Sequence, residues 1–350
     1  MRRFMPLLCL APITALAADV HAPHESERPE FEVHEWGTFT AVAGPDGEAM
    51  VWKPLAGPSD LPEFVYTLEE EVEAGTRVLA DCLTKGCDGR VRMETPVLYF
   101  HTDEALDVSV QVDFPLGSMT EWYPKVSGTN GHILNWGLVH VDPGLPDVFP
   151  TEEADSHYYP ARATNAAPVR VCDLEGEEVE KFLFYRGVGD FPISLNVTLD
   201  EELTIKGPSG KLLVFENIGG DARWSWVWHD GTSTVERPIE GGEVQDLLAE
   251  LTPWLVSQGL FEDEAEAMVK TWEDSWFEEG LRVLYILPEA EVDALLPVYM
   301  SPYPQEFERV MVGRVEVITP EMVSLARSMT PSERNAHFGR FAEPVATFFK

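Results

Sequence analysis

The first candidate for chemistry is a carboxylate placed among apolar residues in "FEVHEWGTFTAVAG", residues 31–44. Side chains alternate between the two faces of a β-strand. A strand through this segment puts Glu35 on the same face as Phe31, Val33, Phe39 and Ala41. A carboxyl group removed from water has a raised pKa unless it is paired, and enzymes prepare a general acid in this way. Glu35 is therefore a candidate catalytic residue.

A second carboxylate, Glu121, also precedes a tryptophan, in "GSMTEWYPKV". Two carboxylates beside aromatic rings suit the hydrolysis of glycosidic bonds. Glu35, Glu121 and the neighbouring His34 are therefore the candidate catalytic residues of a hydrolase that acts on glycans. Structural explanations compete with this hypothesis: Glu35 pairs with an arginine such as Arg92 or caps a turn, or Gly37 marks a β-bulge that shifts the strand phase and wets the carboxylate.

Histidines are the second chemical resource of the chain. Besides His34, the residues near predicted strand ends or in a long loop are His101, His132, His140 and His157. Strand ends converge in space, so three of these side chains could form a facial metal site. The chain has no His-x-His and no His-Glu-x-x-His spacing, however, and scattered histidines are more often surface or hydrogen-bonded core residues. We therefore predict neither a metal site nor a cofactor.

Three tryptophans alternate along "RWSWVWHDG", which puts Trp224, Trp226 and Trp228 on one strand face. Aromatic faces stack on sugar rings, so these residues are a candidate binding platform. The alternative is that the three rings fill a sandwich core, because a large exposed indole is costly. Nucleophile and nucleotide motifs are missing from the sequence, and "GVGDF" at 187–191 is too short for a dinucleotide fingerprint. Lipases, nucleotide enzymes and nicotinamide enzymes are therefore disfavoured.

The elements that must position these residues fall into two parts. From residue 31 to about 236 the hydrophobic period is mostly two, as in "DVSVQVDF". Many short strands separated by Gly and Pro predict a β-rich module of antiparallel, sandwich-like sheets over 31–238. After residue 240, apolar spacings of three and four, as in "EVQDLLAELTPWLVSQG", predict helices. The expected fold class is that β module followed by an α+β, mainly helical C-terminal module over 239–350.

The N-terminus has the pattern of a signal peptide. Two arginines precede a short apolar run, and small residues at positions 15 and 17 suit signal peptidase. We predict a signal peptide over 1–18 and a flexible polar leader over 19–30. The apolar run is shorter than the roughly 20 residues that a membrane-spanning helix needs, and no later stretch is long and apolar enough. The expected location is therefore periplasmic or extracellular, without a transmembrane segment.

The formal net charge of −36 limits the partners. So strong a negative field repels phosphate backbones and anionic lipid heads, which makes nucleic acid an unsuitable partner. The remaining partner classes are a small molecule, a glycan or an envelope protein.

Three cysteines follow the signal peptide, at Cys82, Cys87 and Cys172. Export permits disulfides. Cys82 and Cys87 bracket the polar loop "LTKG", which favours that pair, although pairing with Cys172 stays open. A zinc site is disfavoured, because no second close Cys or His pair follows.

Seven sequence runs together resemble a family of uncharacterised exported bacterial proteins: "VHEWGTFT", "WKPLAGPSDLPEFVY", "METPVLYF", "TEWYPKV", "EKFLFYRGVG", "SWFEEGLRVLYILP" and "RVMVGRVEVITPE". The resemblance implies export, a bacterial source and one continuous architecture, and it brings no activity or functional residue with it. The leading hypothesis is an exported β-rich protein that binds a ligand or a cell-envelope component. A glycan hydrolase and a structural subunit of an exported assembly are the alternatives.

Overall fold

A computed structural model of the chain describes residues 30–57, 60–79, 86–153, 155–173 and 176–349. The predicted signal peptide (1–18) lies outside the described residues, as does the predicted leader (19–30) except for its last residue. Cys82 also lies outside them.

The described residues form eighteen strands and seven α-helices, and 41% of them are in strands and 22% are helical. The strands are β1 (Phe31–Ala43), β2 (Tyr66–Thr67), β3 (Val91–Thr102), β4 (Leu106–Asp113), β5 (Gly117–Tyr123), β6 (Gly128–Thr129), β7 (Ile133–Val141), β8 (Val169–Cys172), β9 (Glu177–Glu180), β10 (Leu183–Gly189), β11 (Asn196–Leu199), β12 (Leu203–Lys206), β13 (Gly210–Ile218), β14 (Asp221–His229), β15 (Thr232–Val235), β16 (Gly280–Ile286), β17 (Val298–Ser301) and β18 (Glu306–Val317). The helices are α1 (Leu68–Glu73), α2 (Val244–Val256), α3 (Glu262–Trp272), α4 (Glu289–Leu295), α5 (Pro320–Ser328), α6 (Pro331–Phe338) and α7 (Ala342–Thr347).

Nine strands form a main sheet in the order β14-β13-β16-β18-β1-β3-β10-β5-β2. The central strand β1 pairs with β18 in parallel and with β3 antiparallel along almost its whole length. Both faces of β1 are buried, since twelve of its thirteen residues are inaccessible. A polar side chain on β1 must therefore find its partners inside the protein.

One face of the main sheet packs on two smaller sheets. These are a six-stranded sheet, in which β6 joins the order β17-β4-β7-β8-β9, and a three-stranded sheet, β11-β12-β15. The alternating apolar residues of β4, among them Val108 and Val110, share one buried cluster with Phe39 and Ala41 of β1. The alternating apolar residues of the two facing layers thus form the core of the sandwich that the N-terminal sequence predicts.

The opposite face of the main sheet is covered by helices. Leu247, Leu251 and Leu255 of α2 are buried in a cluster that also contains Trp36 and Val97 of the sheet. A smaller cluster at the far end of the same face joins β1 to the C-terminal helices α5 and α7. Within the described residues, none of these helices is long and apolar enough to cross a membrane.

The predicted mainly helical C-terminal module is wrong. The helices after residue 239 are few and short, and the longest of them has 13 residues. Strands β16 and β18 lie in the middle of the main sheet, and β17 extends the six-stranded sheet. The boundary predicted at 238/239 therefore falls between strands of one sheet. Local periodicity distinguishes strands from helices, but it carries no information on the sheet that a strand joins.

A bulge interrupts β3 opposite Gly37. Trp36 pairs with Val97 and Thr38 pairs with Glu94, so Thr95 and Pro96 both face one residue of β1. Thr95 has a φ of +48°, in the left-handed region that non-glycine residues rarely adopt. The extra residue lies on β3 and not on β1, so β1 keeps its alternation.

Candidate functional site

Charged side chains, most of them ion-paired, form a row across the helix-covered face of the main sheet, between the cluster under α2 and α3 and the cluster under α5 and α7. We call this row the charged belt. Its members are Asp60, Arg92, Glu94, Glu121, Arg186, Glu278, Arg282, Arg314, Glu316 and Arg340.

The strand register places the belt around two threonines of β1. Thr40 is the cross-strand neighbour of Arg92 on one side and of Arg314 on the other. Thr38 is the cross-strand neighbour of Glu94. Neighbouring residues on adjacent strands project from the same face of a sheet. Both hydroxyls therefore lie among charged groups, on the face opposite to the sandwich core.

One end of the belt lies at the bulge in β3. Arg186 of β10 donates two hydrogen bonds to the Asp60 carboxylate, at 2.6 and 3.0 Å, and two more to the Thr95 hydroxyl, at 3.2 and 3.1 Å. A residue kept at positive φ costs of order 1–3 kcal/mol and concentrates at functional sites. The positive φ of Thr95 costs stability at this end of the belt, where the Thr95 hydroxyl binds Arg186.

Arg314 of β18 organises the other end. Its guanidinium group donates to the carboxylates of Glu316 and Glu278 and, at 2.9 Å, to the Ser275 hydroxyl. The adjacent Arg282 of β16 lies 3.1 Å from Glu316 and donates to the Trp276 carbonyl at 2.6 Å. The segment after α3 therefore closes over the belt.

Several polar atoms in this region have no hydrogen-bond partner among the described residues. They are the hydroxyls of Thr38 and Thr40 and the indole N–H groups of Trp36, Trp272 and Trp276, and all five side chains are buried. More than nine in ten buried polar groups in proteins are hydrogen-bonded, and unpaired ones indicate water, an ion or a ligand. Most of these unpartnered groups are hydrogen-bond donors, because an indole N–H can only donate.

The buried part of the belt holds one more guanidinium group than carboxylates. Its buried side chains are those of Arg186, Arg282, Arg314, Glu94 and Glu316, and Arg92 is 14% exposed. Of the other belt carboxylates, Asp60 and Glu121 are partly exposed and Glu278 is exposed. A protein of net charge −36 thus carries a small local surplus of positive charge inside this site.

Electrostatics keeps three carboxyl groups of the belt ionised. Burial alone would raise the pKa of Glu94, but the guanidinium groups of Arg340 and Arg92 lower it below its ordinary value. The pKa of Glu316 is lowered in the same way by its neighbouring arginines, and that of Asp60 lies well below its usual range because of Arg186. These three groups therefore hold no proton at neutral pH.

Glu35 lies elsewhere. It is fully buried on the sandwich face, where Arg309 donates to it at 2.6 Å and the Tyr185 hydroxyl donates a short hydrogen bond. Arg309 also contacts Asp293 at 2.9 Å. The alternation of β1 thus puts Glu35 on the apolar face, as the sequence predicts, but its partner is Arg309 and not Arg92.

The structure does not bring the two predicted catalytic carboxylates together. Glu35 is on β1 and Glu121 on β5, so three inter-strand spacings separate them, about 14 Å. They also project from opposite faces, because Glu121 is the cross-strand neighbour of Arg186 on the helix-covered face. Glycoside hydrolysis needs carboxyl groups within about 10 Å of each other. Glu35 and Glu121 therefore cannot act as such a pair.

The three predicted platform tryptophans share one face of the edge strand β14 but not one environment. Trp224 and Trp226 pack partly buried against the α2 cluster, and Trp226 meets Trp254 edge to face. Trp228 is 81% exposed and lines a cleft of about 610 Å³ between β14, α2 and the start of β18. The indoles are thus partly core and partly surface.

Two of the five histidines singled out in the sequence come together. His34 and His101 meet at the carboxylate of Glu264, whereas His140 and His157 contact other acids. His132 is bonded to a backbone carbonyl. Cys87 is in a disulfide and Cys172 is free and exposed.

Sequence reasoning missed the belt, apart from Glu121, because no spacing links its members. The signal present in the sequence was the set of seven runs that carry the family resemblance, since each run contributes at least one belt or belt-lining residue. Neither a family model nor a curated protein matches the chain, so that resemblance stays a prediction.

Proposed function

We propose that the protein is an exported binding protein, and that the charged belt recognises a small oxygen-rich anion of which an acidic sugar is the best-suited class. The observation that carries the proposal is the buried, unpartnered hydroxyl of Thr40 between Arg92 and Arg314, with the equally unpartnered hydroxyl of Thr38 two residues away on the same strand face. Export rests on the signal-peptide pattern of residues 1–18.

The hydrogen-bond donors of the belt favour an anionic ligand. Indole N–H and guanidinium groups can only donate hydrogen bonds, so a ligand that satisfies them must offer acceptor oxygens. Guanidinium groups bind carboxylate, sulfate and phosphate with planar, paired hydrogen bonds. The excess of deep arginines over deep carboxylates supplies the matching charge.

A sugar also suits the indole groups of the belt. Trp272 and Trp276 are buried and stack on each other at 13°, and His157 stacks on Trp272 at 28°, so these rings offer a ligand their N–H groups and not a free face. The hydroxyl and carboxylate oxygens of an acidic sugar accept hydrogen bonds from such donors. Asp60 and Glu121, at the partly exposed side of the belt, supply acceptors for its hydroxyls.

Binding is favoured over hydrolysis. A glycosidase needs one carboxyl group that is still protonated near neutral pH. Asp60, Glu94 and Glu316 have lowered pKa values, which removes them as general acids. Glu121 is the predicted catalytic carboxylate within the belt, and it is separated from its predicted partner Glu35. We therefore propose recognition and assign the belt no catalytic step.

The test is calorimetric titration of the mature chain with galacturonate and, separately, with neutral galactose. We expect galacturonate to bind and galactose to bind at least about tenfold more weakly, because a hydrogen bond to a charged group contributes about 1.5–3 kcal/mol. Thr40→Val should weaken galacturonate binding by a similar factor. Its effect on the unfolding free energy of the free protein should stay within about 1 kcal/mol, since the hydroxyl has no protein partner to lose.

Thr164→Val is the matched control. The Thr164 hydroxyl is also buried and unpartnered but lies outside the belt. Thr164→Val should leave the affinity for galacturonate unchanged. Equal effects of Thr40→Val and Thr164→Val, or equal binding of both sugars, would contradict the proposal.

A further inference from the structure

A second cluster of ligating groups lies on the helix-covered face, away from the belt. His34 Nδ1 lies 2.6 Å from one carboxylate oxygen of Glu264, and His101 Nε2 lies 2.8 Å from the other. One ligand atom from each residue lies within 4.8 Å of the other two. Glu264 and His34 are buried, and His101 is partly exposed.

Three elements position this cluster. His34 is on the central strand β1, and His101 is near the end of β3, one diagonal position away on the same face. Glu264 is in the first turn of α3, where the Phe261 amide also donates to it at 3.0 Å. The Phe261 ring packs on both imidazoles, with centroid distances of 4.4 and 4.8 Å. Sheet and aromatic packing therefore fix the direction of each imidazole.

The surroundings of the cluster are negative and reachable. Glu32 and Glu308 are the cross-strand neighbours of His101 and His34, and both are partly exposed. Carboxylates so close to the imidazoles attract cations. His101 also lines a polar pocket of about 570 Å³ that reaches solvent, whereas the buried His34 and Glu264 are not among the residues that line it. The cluster is therefore approached by solvent from the His101 side.

Two imidazole nitrogens and one carboxylate form a donor set that suits a transition metal. Zn²⁺ takes such a set together with an open position for water, and 2-His-1-carboxylate sets also bind Fe²⁺. Calcium and magnesium prefer all-oxygen sites. We infer that His34 Nδ1, His101 Nε2 and a Glu264 oxygen bind one divalent transition-metal ion of the Zn²⁺ type, with solvent from the pocket as a further ligand.

This site is separate from the belt, so its existence does not depend on the sugar-binding proposal.

The test measures zinc binding by the mature chain after removal of metal with EDTA. We expect one Zn²⁺ per chain by calorimetry, and Co²⁺ at the same site should give the visible absorption of a four- or five-coordinate ion. His101→Ala should weaken Zn²⁺ binding at least about 100-fold, because it removes one of three protein ligands. Its circular dichroism should match that of the original protein, since His101 is at the pocket wall.

His140→Ala is the matched control, because His140 also contacts an aspartate, Asp107, at 2.8 Å but has no second histidine beside it. It should bind zinc as the original protein does. Failure of the original protein to take up Zn²⁺, or equal uptake by His101→Ala, would overturn the inference. Should His101→Ala not fold, an octahedral, aqua-like Co²⁺ spectrum of the original protein would overturn it independently.

Discussion

Replacing Glu35 by Gln should destabilise the protein strongly, although the change is nearly isosteric. Glu35 and Arg309 are both buried, and their charged atoms are 2.6 Å apart. Removing one partner of a buried ion pair costs about 3–5 kcal/mol, because the other charge is left without compensation. Asp293 still contacts Arg309, and Gln keeps an acceptor oxygen for Tyr185. The loss should therefore lie near the lower limit, about 3 kcal/mol.

Urea denaturation measures this loss. With a slope of about 3 kcal/mol per molar urea, at the upper end of the usual range, 3 kcal/mol moves the midpoint by about 1 M. Asp293→Asn is the control, because the Asp293 side chain is 58% exposed and its ion pair should contribute less than about 1 kcal/mol.

The double variant Glu35→Gln/Arg309→Met separates the ion pair from general packing. It removes both charges, so most of the stability lost in Glu35→Gln should return. If Glu35→Gln unfolds within about 0.5 kcal/mol of the original protein, or if the double variant is less stable than the single one, the carboxylate is not held as a structural ion pair.

Two further predictions concern the bulge and the loop above the belt. Gly37→Ala should destabilise the protein by about 1–3 kcal/mol, because the new Cβ would lie 3.0 Å from the Pro96 Cα; an unchanged melting temperature would contradict the close approach. The pKa of His157 is raised, chiefly by its hydrogen bond to Asp60 and also by Asp274. Its contribution to stability is therefore complete below about pH 6.5 and is lost as the pH rises through the raised value. Urea midpoints should fall between pH 6 and 9, less so in His157→Gln, and equal slopes for both proteins would refute this assignment.

Strand phase was the most predictable feature of the site. The alternation of β1 is intrinsic to the strand, and the bulge lies on β3, so the sequence alone placed Glu35 on the buried face. The partner of Glu35 was not predictable. Arg309 lies 274 residues away, on a strand that pairs with β1 in parallel, and a period of two specifies faces but not neighbours.

The charged belt was unpredictable for a related reason. Its charged residues come from separate strands and loops, and in the sequence each one resembles an ordinary polar position of a half-exposed strand. Both faces of the central strands are buried only because α2, α3 and the C-terminal helices cover the main sheet. The period of three and four predicts the helices but not their number or their place over the sheet, and for this reason the prediction of a mainly helical C-terminal part is wrong.

The most direct test of the belt as a binding site is a crystal structure of the mature chain with galacturonate. We predict density for the sugar carboxylate within hydrogen-bond distance of a belt guanidinium group and of the Thr38 or Thr40 hydroxyl. A belt that contains ordered water alone at saturating galacturonate, with both hydroxyls bonded to that water, would contradict the account.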